Sequence, residues 1–197
     1  APALDHLARL LADPETPPTL RRHLPRSISP FASARAAEIL VQQLAHESDG
    51  HVLYKILRGL GRLRADDATI DVDRATLLLH AERTLERIIE LLAYRVAYPL
   101  LRDTPGDDIP DDLLAALLVE KERRALEHAF RILQILETQE DFATMFAALS
   151  SDAPATRATA RELISHILDG RLRDALLALT DSLPPVECLD AAARALP

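Results

Sequence analysis

Arginine is the residue type in this sequence that is best suited to bind a ligand. Lysine and arginine together number 23 against 31 acidic residues, and all of these bases except Lys55 and Lys121 are arginine. A guanidinium group bonds carboxylates or phosphates through two parallel hydrogen bonds. Many of the basic residues lie three, four or seven positions apart, a spacing that places side chains on one face of a helix. The residues spaced in this way, one histidine included, are Arg22, Arg26, Lys55, Arg58, Arg62, Arg124, His128, Arg131, Arg157 and Arg161.

The other reactive side chains lack the spacing that catalysis or metal binding requires. Gly59 and Gly61 form only a fragment of a dinucleotide-binding fingerprint inside an apolar helical pattern, which favours close helix packing instead. Glu162 and His166 are four residues apart and could supply two metal ligands, but an exposed polar pair is the simpler interpretation. Cys188 is the only cysteine and lies among apolar residues, so we expect a packed side chain. We therefore predict no catalytic residue, no metal site and no cofactor, and a protein that is not an enzyme.

The composition indicates an all-helical protein. Of the 197 residues 48% are hydrophobic, leucine and alanine dominate, glycine numbers only 5 and tryptophan is absent. Strands are rich in β-branched and aromatic residues, and runs of these are missing. The net charge of −8 argues against nucleic acid as the partner, because non-specific DNA binding favours basic proteins. No apolar run approaches the roughly 20 residues of a membrane-spanning helix, so we expect no direct insertion of this segment into a membrane.

Proline residues divide the chain into segments with helical periodicity. The predicted helices cover about residues 3–12, 17–28, 32–46, 50–64, 73–101, 110–136, 141–149, 154–168, 172–183 and 185–196. Pro25 lies inside the second segment and should kink or split it. The two longest segments are joined by a turn at 103–108, which predicts an antiparallel hairpin over about 73–136. The order of the segments predicts five antiparallel helix pairs.

Two junctions between predicted helices share a sequence motif. Residues 48–55 (SDGHVLYK) and 151–157 (SDAPATR) both place Ser-Asp before a helix, with a basic residue five or six positions after the aspartate. We predict that Asp49 and Asp152 cap the helices that follow. We also expect turn aspartates to bond basic side chains, with Lys55 and Arg157 as the first candidates.

This arrangement resembles HEAT-like repeats, in which a turn aspartate, a small residue or proline and a basic residue introduce a second helix rich in leucine and alanine. Residues 156–163 (TRATAREL) match that pattern best. The resemblance implies an all-α protein, an α-solenoid of about five antiparallel helix pairs with a long central helical hairpin. It also implies a single domain over residues 1–197.

A narrower resemblance concerns residues 22–29 (RHLPRSIS) and 54–63 (YKILRGLGRL). These strings are similar to the HEAT-repeat region of bacterial transporter-like membrane proteins that carry a cyclic-nucleotide-binding-like domain. The resemblance implies a cytoplasmic module, or the cytoplasmic part of a membrane-anchored parent protein. Since Met145 is the only methionine, we expect the segment to be excised from a longer chain.

The function predicted from these features is a non-enzymatic scaffold that binds an acidic protein partner on the concave face of the solenoid. The predicted binding residues are Arg58, Arg62, Arg124, His128 and Arg131. The partner would be another protein or another domain of the same parent chain. The same bases could instead form a structural ladder with the turn aspartates, and the sequence leaves both alternatives open. A further alternative is a HEAT-like nucleic-acid-binding protein or DNA glycosylase that uses the same basic groove.

Overall fold

The helical spacing of leucine and alanine produces helices along the whole described chain. The computed structural model describes residues 2–98 and 111–196, and these ranges contain no β-strand. The predicted all-α class is therefore confirmed. The helices are α1 (Pro2–Ala12), α2 (Pro18–Arg21), α3 (Leu24–Ile28), α4 (Ala34–His46), α5 (Gly50–Asp66), α6 (Arg74–Ala97), α7 (Asp111–Leu136), α8 (Phe142–Leu149), α9 (Pro154–Ile167), α10 (Gly170–Leu179) and α11 (Pro185–Ala195).

Proline marks where several of these helices begin, because its missing N–H and restricted φ suit the first helical turn. Pro18, Pro25, Pro154 and Pro185 lie in the first turns of α2, α3, α9 and α11. Pro25 thus splits the segment predicted over 17–28 into two short helices, which confirms that expectation.

The third predicted helix begins later than its sequence pattern indicates. A 3-10 turn at Ser29–Phe31 precedes it, and Ala32 then adopts a left-handed conformation with φ of 45°. Ser33 caps α4 by accepting a hydrogen bond from the Ala36 N–H at 3.3 Å. The helix starts at Ala34 rather than at 32 because this cap ends the preceding turn.

The described residues divide into two compact units. The first lies within Ala1–His80 and Arg131–Phe142, and the second within Ala81–Phe130 and Ala143–Pro197. In the first unit α3 and α4 pack on α5, and α1 packs on α3 and α4. In the second unit α10 packs on both α9 and α11. The stacking of five helix pairs into a single solenoid domain stays a prediction.

Helices α6 and α7 run antiparallel, as the predicted hairpin requires. Within the second unit, Arg95 near the end of α6 bonds Glu122 of α7 at 2.7 Å. Within the first unit, Arg74 at the start of α6 bonds the carbonyl of Leu136 at the end of α7 at 3.1 Å. The predicted connecting turn at 103–108 lies outside the described residues.

A buried glutamate joins three helices of the first unit. The Glu47 side chain, which directly follows α4, is only 1% exposed. Its Oε1 accepts hydrogen bonds from the backbone N–H groups of Ser48 and Asp49 at 3.0 and 2.9 Å. Its Oε2 accepts from the side chains of Gln43 in α4 and Arg21 in α2. The carboxylate therefore positions α2 against the turn that leads from α4 into α5.

The motif at residues 48–55 caps α5 as predicted. Oδ1 of Asp49 accepts hydrogen bonds from the backbone N–H groups of His51 at 2.8 Å and Val52 at 3.2 Å. Oδ2 accepts from the Arg22 guanidinium at 3.2 Å. Burial by itself would raise the pKa of Asp49, but the Val52 and His51 N–H groups and Arg22 together hold it below its ordinary value.

The equivalent prediction for Asp152 is wrong. The residue before α9 is Ala153, and no side chain bonds the free N–H groups of that helix. The hydroxyl of Ser151 instead accepts a hydrogen bond from the Ala153 N–H at 3.2 Å. The physical reason is position, because Asp152 lies one residue further from the helix start than Asp49 does from α5. Pro154 at the first helical position also removes one N–H that would need a cap.

Replacing Glu47 with alanine should destabilise the fold strongly. The change leaves the partly buried Arg21 guanidinium without its carboxylate and two backbone N–H groups without an acceptor. We expect a loss of about 3–5 kcal/mol in the free energy of unfolding, measured by urea denaturation followed by circular dichroism. The control is Glu38→Ala on α4, which removes an exposed ion pair with Arg35 and an exposed hydrogen bond from Gln42 and should leave the midpoint nearly unchanged. Equal effects of the two substitutions would contradict this role of Glu47.

Asp49→Ala should cost about 0.5–2 kcal/mol at neutral pH, because the cap of α5 is lost. Since the folded-state pKa of Asp49 is lowered, its contribution is complete above the unfolded-state pKa of about 3.9 and is lost as the pH falls through the folded value. The difference between wild type and variant should therefore shrink below about pH 4. Asp152→Ala is the matched control, because that exposed side chain caps nothing. A cost for Asp152→Ala equal to that of Asp49→Ala would refute the assignment.

Candidate anion-binding site

Several arginines of the predicted basic stripe serve the fold and are not available to a ligand. Arg22 bonds the turn aspartate Asp49, so the structural alternative, in which the bases pair with turn aspartates, holds for this arginine. Arg157 donates to the backbone carbonyl of Ser151 at 2.7 Å, and the expected pairing of Arg157 with a turn aspartate is wrong. Arg161 bonds Asp181 at 2.6 Å.

Arg124 and His128 belong to the second unit, and Arg124 is paired on its own helix. Its Nε donates to Glu120 at 2.7 Å, and Arg123 bonds the same carboxylate through both Nε and Nη2. The hydrogen bonds from these two arginines lower the pKa of Glu120 to about 2. His128 is half-buried on the same helix. Neither residue lines the cavity described below.

Arg131 belongs to the first unit, where it packs against an aromatic ring. Its guanidinium carbon lies 4.8 Å from the centroid of the Tyr54 ring, a cation–π distance. The Nη2 of Arg131 is 3.5 Å from the Tyr54 hydroxyl. On the next residue, the ammonium of Lys55 lies 5.6 Å from the same ring. Tyr54 therefore holds Arg131 of α7 against α5.

The remaining bases of the predicted stripe in the first unit surround one small cavity. Its volume is about 200 Å³, and it is lined by Arg26 of α3 and by Lys55, Arg58, Gly59 and Arg62 of α5. We call these five residues the basic cavity. Arg26, Arg58 and Arg62 are exposed and Lys55 is half-buried. The structure thus brings Arg58 and Arg62 of the predicted site together with two bases from the wider stripe.

Gly59 allows the two helices of the basic cavity to come together. A Cβ at this position would lie 3.2 Å from Cδ1 of Leu40 and 3.3 Å from the carbonyl oxygen of Pro25. A side chain here would crowd α3 and α4 against α5, so the close helix packing predicted for Gly59 is confirmed. The same prediction is wrong for Gly61, where a Cβ would meet nothing within 4 Å. Because Arg26 follows Pro25 directly, the same close approach places it beside the bases of α5.

The four bases of the basic cavity have no carboxylate partner in the part of the chain that the structure describes. Among the described residues, no hydrogen bond or ion pair joins Arg26, Lys55, Arg58 or Arg62 to a carboxylate. Positive charges grouped in this way repel one another, and an anion relieves that repulsion. Arginine remains protonated at all physiological pH values, so the basic cavity is a candidate site for an anion.

Sequence reasoning missed Arg26 and Lys55 as members of this site. Lys55 precedes Arg58 by three residues, and this helical spacing already places both on one face. Arg26 lies on a different helix, and only the contact between Pro25 and Gly59 shows that it joins them.

A larger cavity in the first unit has about 510 Å³ and carries acidic residues. It lies between α4 and the residues that lead into α6, and its lining includes Glu38, His46, Asp71 and Asp73. Two of these carboxylates are already used, because Glu38 bonds Arg35 at 2.8 Å and Asp73 bonds the Thr76 hydroxyl at 2.7 Å. In the described part of the chain, no three side chains are grouped as a metal site would need.

The other residues considered from the sequence also have structural partners. Nδ1 of His166 lies 2.7 Å from the backbone carbonyl oxygen of Glu162, so the imidazole ring contacts the backbone of Glu162 and not its carboxylate. Cys188 is 7% exposed, and its thiol contacts the carbonyl of Leu183 at 3.4 Å. Across residues 2–98 and 111–196, no helix has both the length and the hydropathy to cross a membrane.

The thiol of Cys188 should react slowly in the folded protein. Burial, together with the nearby charge of Asp181, raises the pKa of this thiol and keeps it in the less reactive protonated form. We expect a thiol-specific reagent at pH 8 to label the protein much more slowly under native conditions than in denaturing urea. Equal labelling rates under the two conditions would show that Cys188 is accessible and activated.

No protein-family model, no curated protein and no solved structure matches this chain. The resemblance to HEAT-like repeats therefore rests on the residues quoted above.

Proposed function

We propose that this chain is a non-enzymatic protein-interaction module that binds an acidic segment of a partner protein at the basic cavity. The observation that carries the proposal is the grouping of Arg26, Lys55, Arg58 and Arg62, which bond no carboxylate within residues 2–98 and 111–196. This grouping is unusual in a chain with a net charge of −8, in which carboxylates are in excess. An acidic partner supplies the missing counter-charge.

The geometry favours an extended acidic segment over an isolated carboxylate. Lys55, Arg58 and Arg62 follow one face of α5 over two helical turns, so successive acidic side chains can meet successive bases. Arg26 extends the same surface onto α3. Compared with the set predicted from the sequence, the proposed site keeps Arg58 and Arg62, adds Arg26 and Lys55, and leaves out Arg124, His128 and Arg131, none of which lines the basic cavity.

We further propose that the module is a HEAT-like α-solenoid of a bacterial protein, located in the cytoplasm. The contacting helix pairs α4–α5 and α10–α11 and the antiparallel pair α6–α7 support this proposal. Solenoids present side chains of stacked helices on extended surfaces, and such surfaces suit the recognition of peptide segments. Another domain of the same parent chain is one candidate for the partner.

Reversing the charge of two bases should remove binding and leave the fold intact. The variant is Arg58→Glu/Arg62→Glu, and the probe is a fluorescent oligo-glutamate peptide followed by anisotropy at low salt. We expect at least a tenfold loss of affinity, since the two arginines supply charge-assisted hydrogen bonds. Both side chains are exposed, so the melting temperature should change little. Added salt should weaken binding to the wild type by screening these charges.

The matched control is Arg83→Glu/Arg87→Glu, which changes the net charge equally on the exposed face of α6. This control should bind the oligo-glutamate peptide as the wild type does. An equal loss of peptide affinity in the two variants would show that only the net charge matters, and it would overturn the assignment of the binding site to the basic cavity. Tighter binding of a duplex oligonucleotide than of the peptide would favour the nucleic-acid alternative instead.

A further inference from the structure

The basic cavity has the size and the charge to hold one doubly charged tetrahedral group. Its volume of about 200 Å³ is far larger than the roughly 10–15 Å³ that a single water needs. A phosphoryl group with its ester oxygen has phosphorus and four oxygen atoms, and it fits within that space.

The charge of the lining also matches a dianion better than a carboxylate. A carboxylate carries one negative charge and offers two oxygens. A phosphorylated side chain carries about −1.5 to −2 charges at pH 7 and three acceptor oxygens. The four bases of the basic cavity exceed what one carboxylate can neutralise.

The positions of the bases allow them to converge on a single group. Arg58 lies three residues after Lys55 and four before Arg62, and side chains at these spacings on a helix have Cβ atoms about 5–6 Å apart. Arg26 approaches from α3, across the contact between Pro25 and Gly59. The guanidinium groups of Arg58 and Arg62 on α5 and of Arg26 on α3 can thus bond the phosphoryl oxygens from different sides.

We infer that the basic cavity recognises a phosphorylated serine or threonine in the acidic partner segment. This inference rests on the proposed function, and it adds that phosphorylation of the partner controls the strength of binding. Residues that flank the phosphorylated side chain would contact the exposed parts of α3 and α5.

The test compares three fluorescent peptides of the same length with neutral flanking residues, measured by anisotropy against the wild-type chain. They carry phosphoserine, aspartate or serine at the central position. We expect the phosphoserine peptide to bind about tenfold or more tightly than the aspartate peptide, and the serine peptide to bind most weakly. Inorganic phosphate should compete for the site but with lower affinity than the phosphoserine peptide.

Two double variants test whether Arg58 and Arg62 are responsible for binding, and their melting temperatures show whether the fold is retained. Arg58→Gln/Arg62→Gln removes both forks without introducing negative charge and should abolish the preference for phosphoserine. Arg83→Gln/Arg87→Gln on α6 is the matched control and should retain it. A melting temperature close to that of the wild type is required of each variant.

The possible failures are distinguishable from one another. Equal affinity for the phosphoserine and aspartate peptides would overturn the inference and leave the proposed function standing. Inorganic phosphate that binds as tightly as the phosphoserine peptide would show that the cavity takes the free anion, which also overturns it. Absence of binding by oligo-glutamate and by the phosphoserine peptide would overturn both proposals.

Discussion

The organisation of the first unit depends on the buried carboxylate of Glu47. This side chain is almost fully removed from solvent, and ionised carboxylates are buried only when hydrogen bonds and a cation compensate for lost hydration. Two backbone N–H groups, an amide and the guanidinium of Arg21 provide that compensation. Because these donors come from α2, α4 and the turn before α5, they can meet only in one arrangement of the helices.

That arrangement is also what creates the candidate binding site. The turn set by Glu47 leads into the Asp49 cap, and the cap sets where α5 begins. Gly59, further along α5, then accepts the close approach of Pro25 and so brings Arg26 beside Arg58 and Arg62. The buried carboxylate of Glu47 and the basic cavity are therefore linked through one helix.

Arginine has two distinct uses in this protein. Arg64, Arg74, Arg157 and Arg161 donate to backbone carbonyls at or beyond the ends of helices, where the last C=O groups lack intrahelical partners. A long side chain with a planar donor group can reach such carbonyls from a neighbouring helix. The bases of the basic cavity bond no such carbonyl among the described residues, and this difference separates them from the arginines that are bonded within the fold.

The sequence by itself determined the features that depend on near neighbours along the chain. Helix formation follows from apolar residues three and four positions apart, the break at Pro25 from its ring and missing N–H, and the Asp49 cap from groups two and three residues away. The close packing at Gly59 was also predictable, because a helical glycine amid large apolar residues indicates a helix contact. Helical spacing alone also predicted that Arg58 and Arg62, four residues apart, lie on one face of α5.

Only the tertiary structure decided which bases are bonded internally and which, among the described residues, have no carboxylate partner. Arg22 bonds Asp49 although the two residues are 27 positions apart. Arg157 bonds a backbone carbonyl although Asp152 is close to it in sequence. Asp49 and Asp152 share a motif, yet one caps its helix and the other does not, because Pro154 and the extra residue change the helix start. An ion pair depends on the distance between charges in space, and spacing along the chain sets that distance only within one helix.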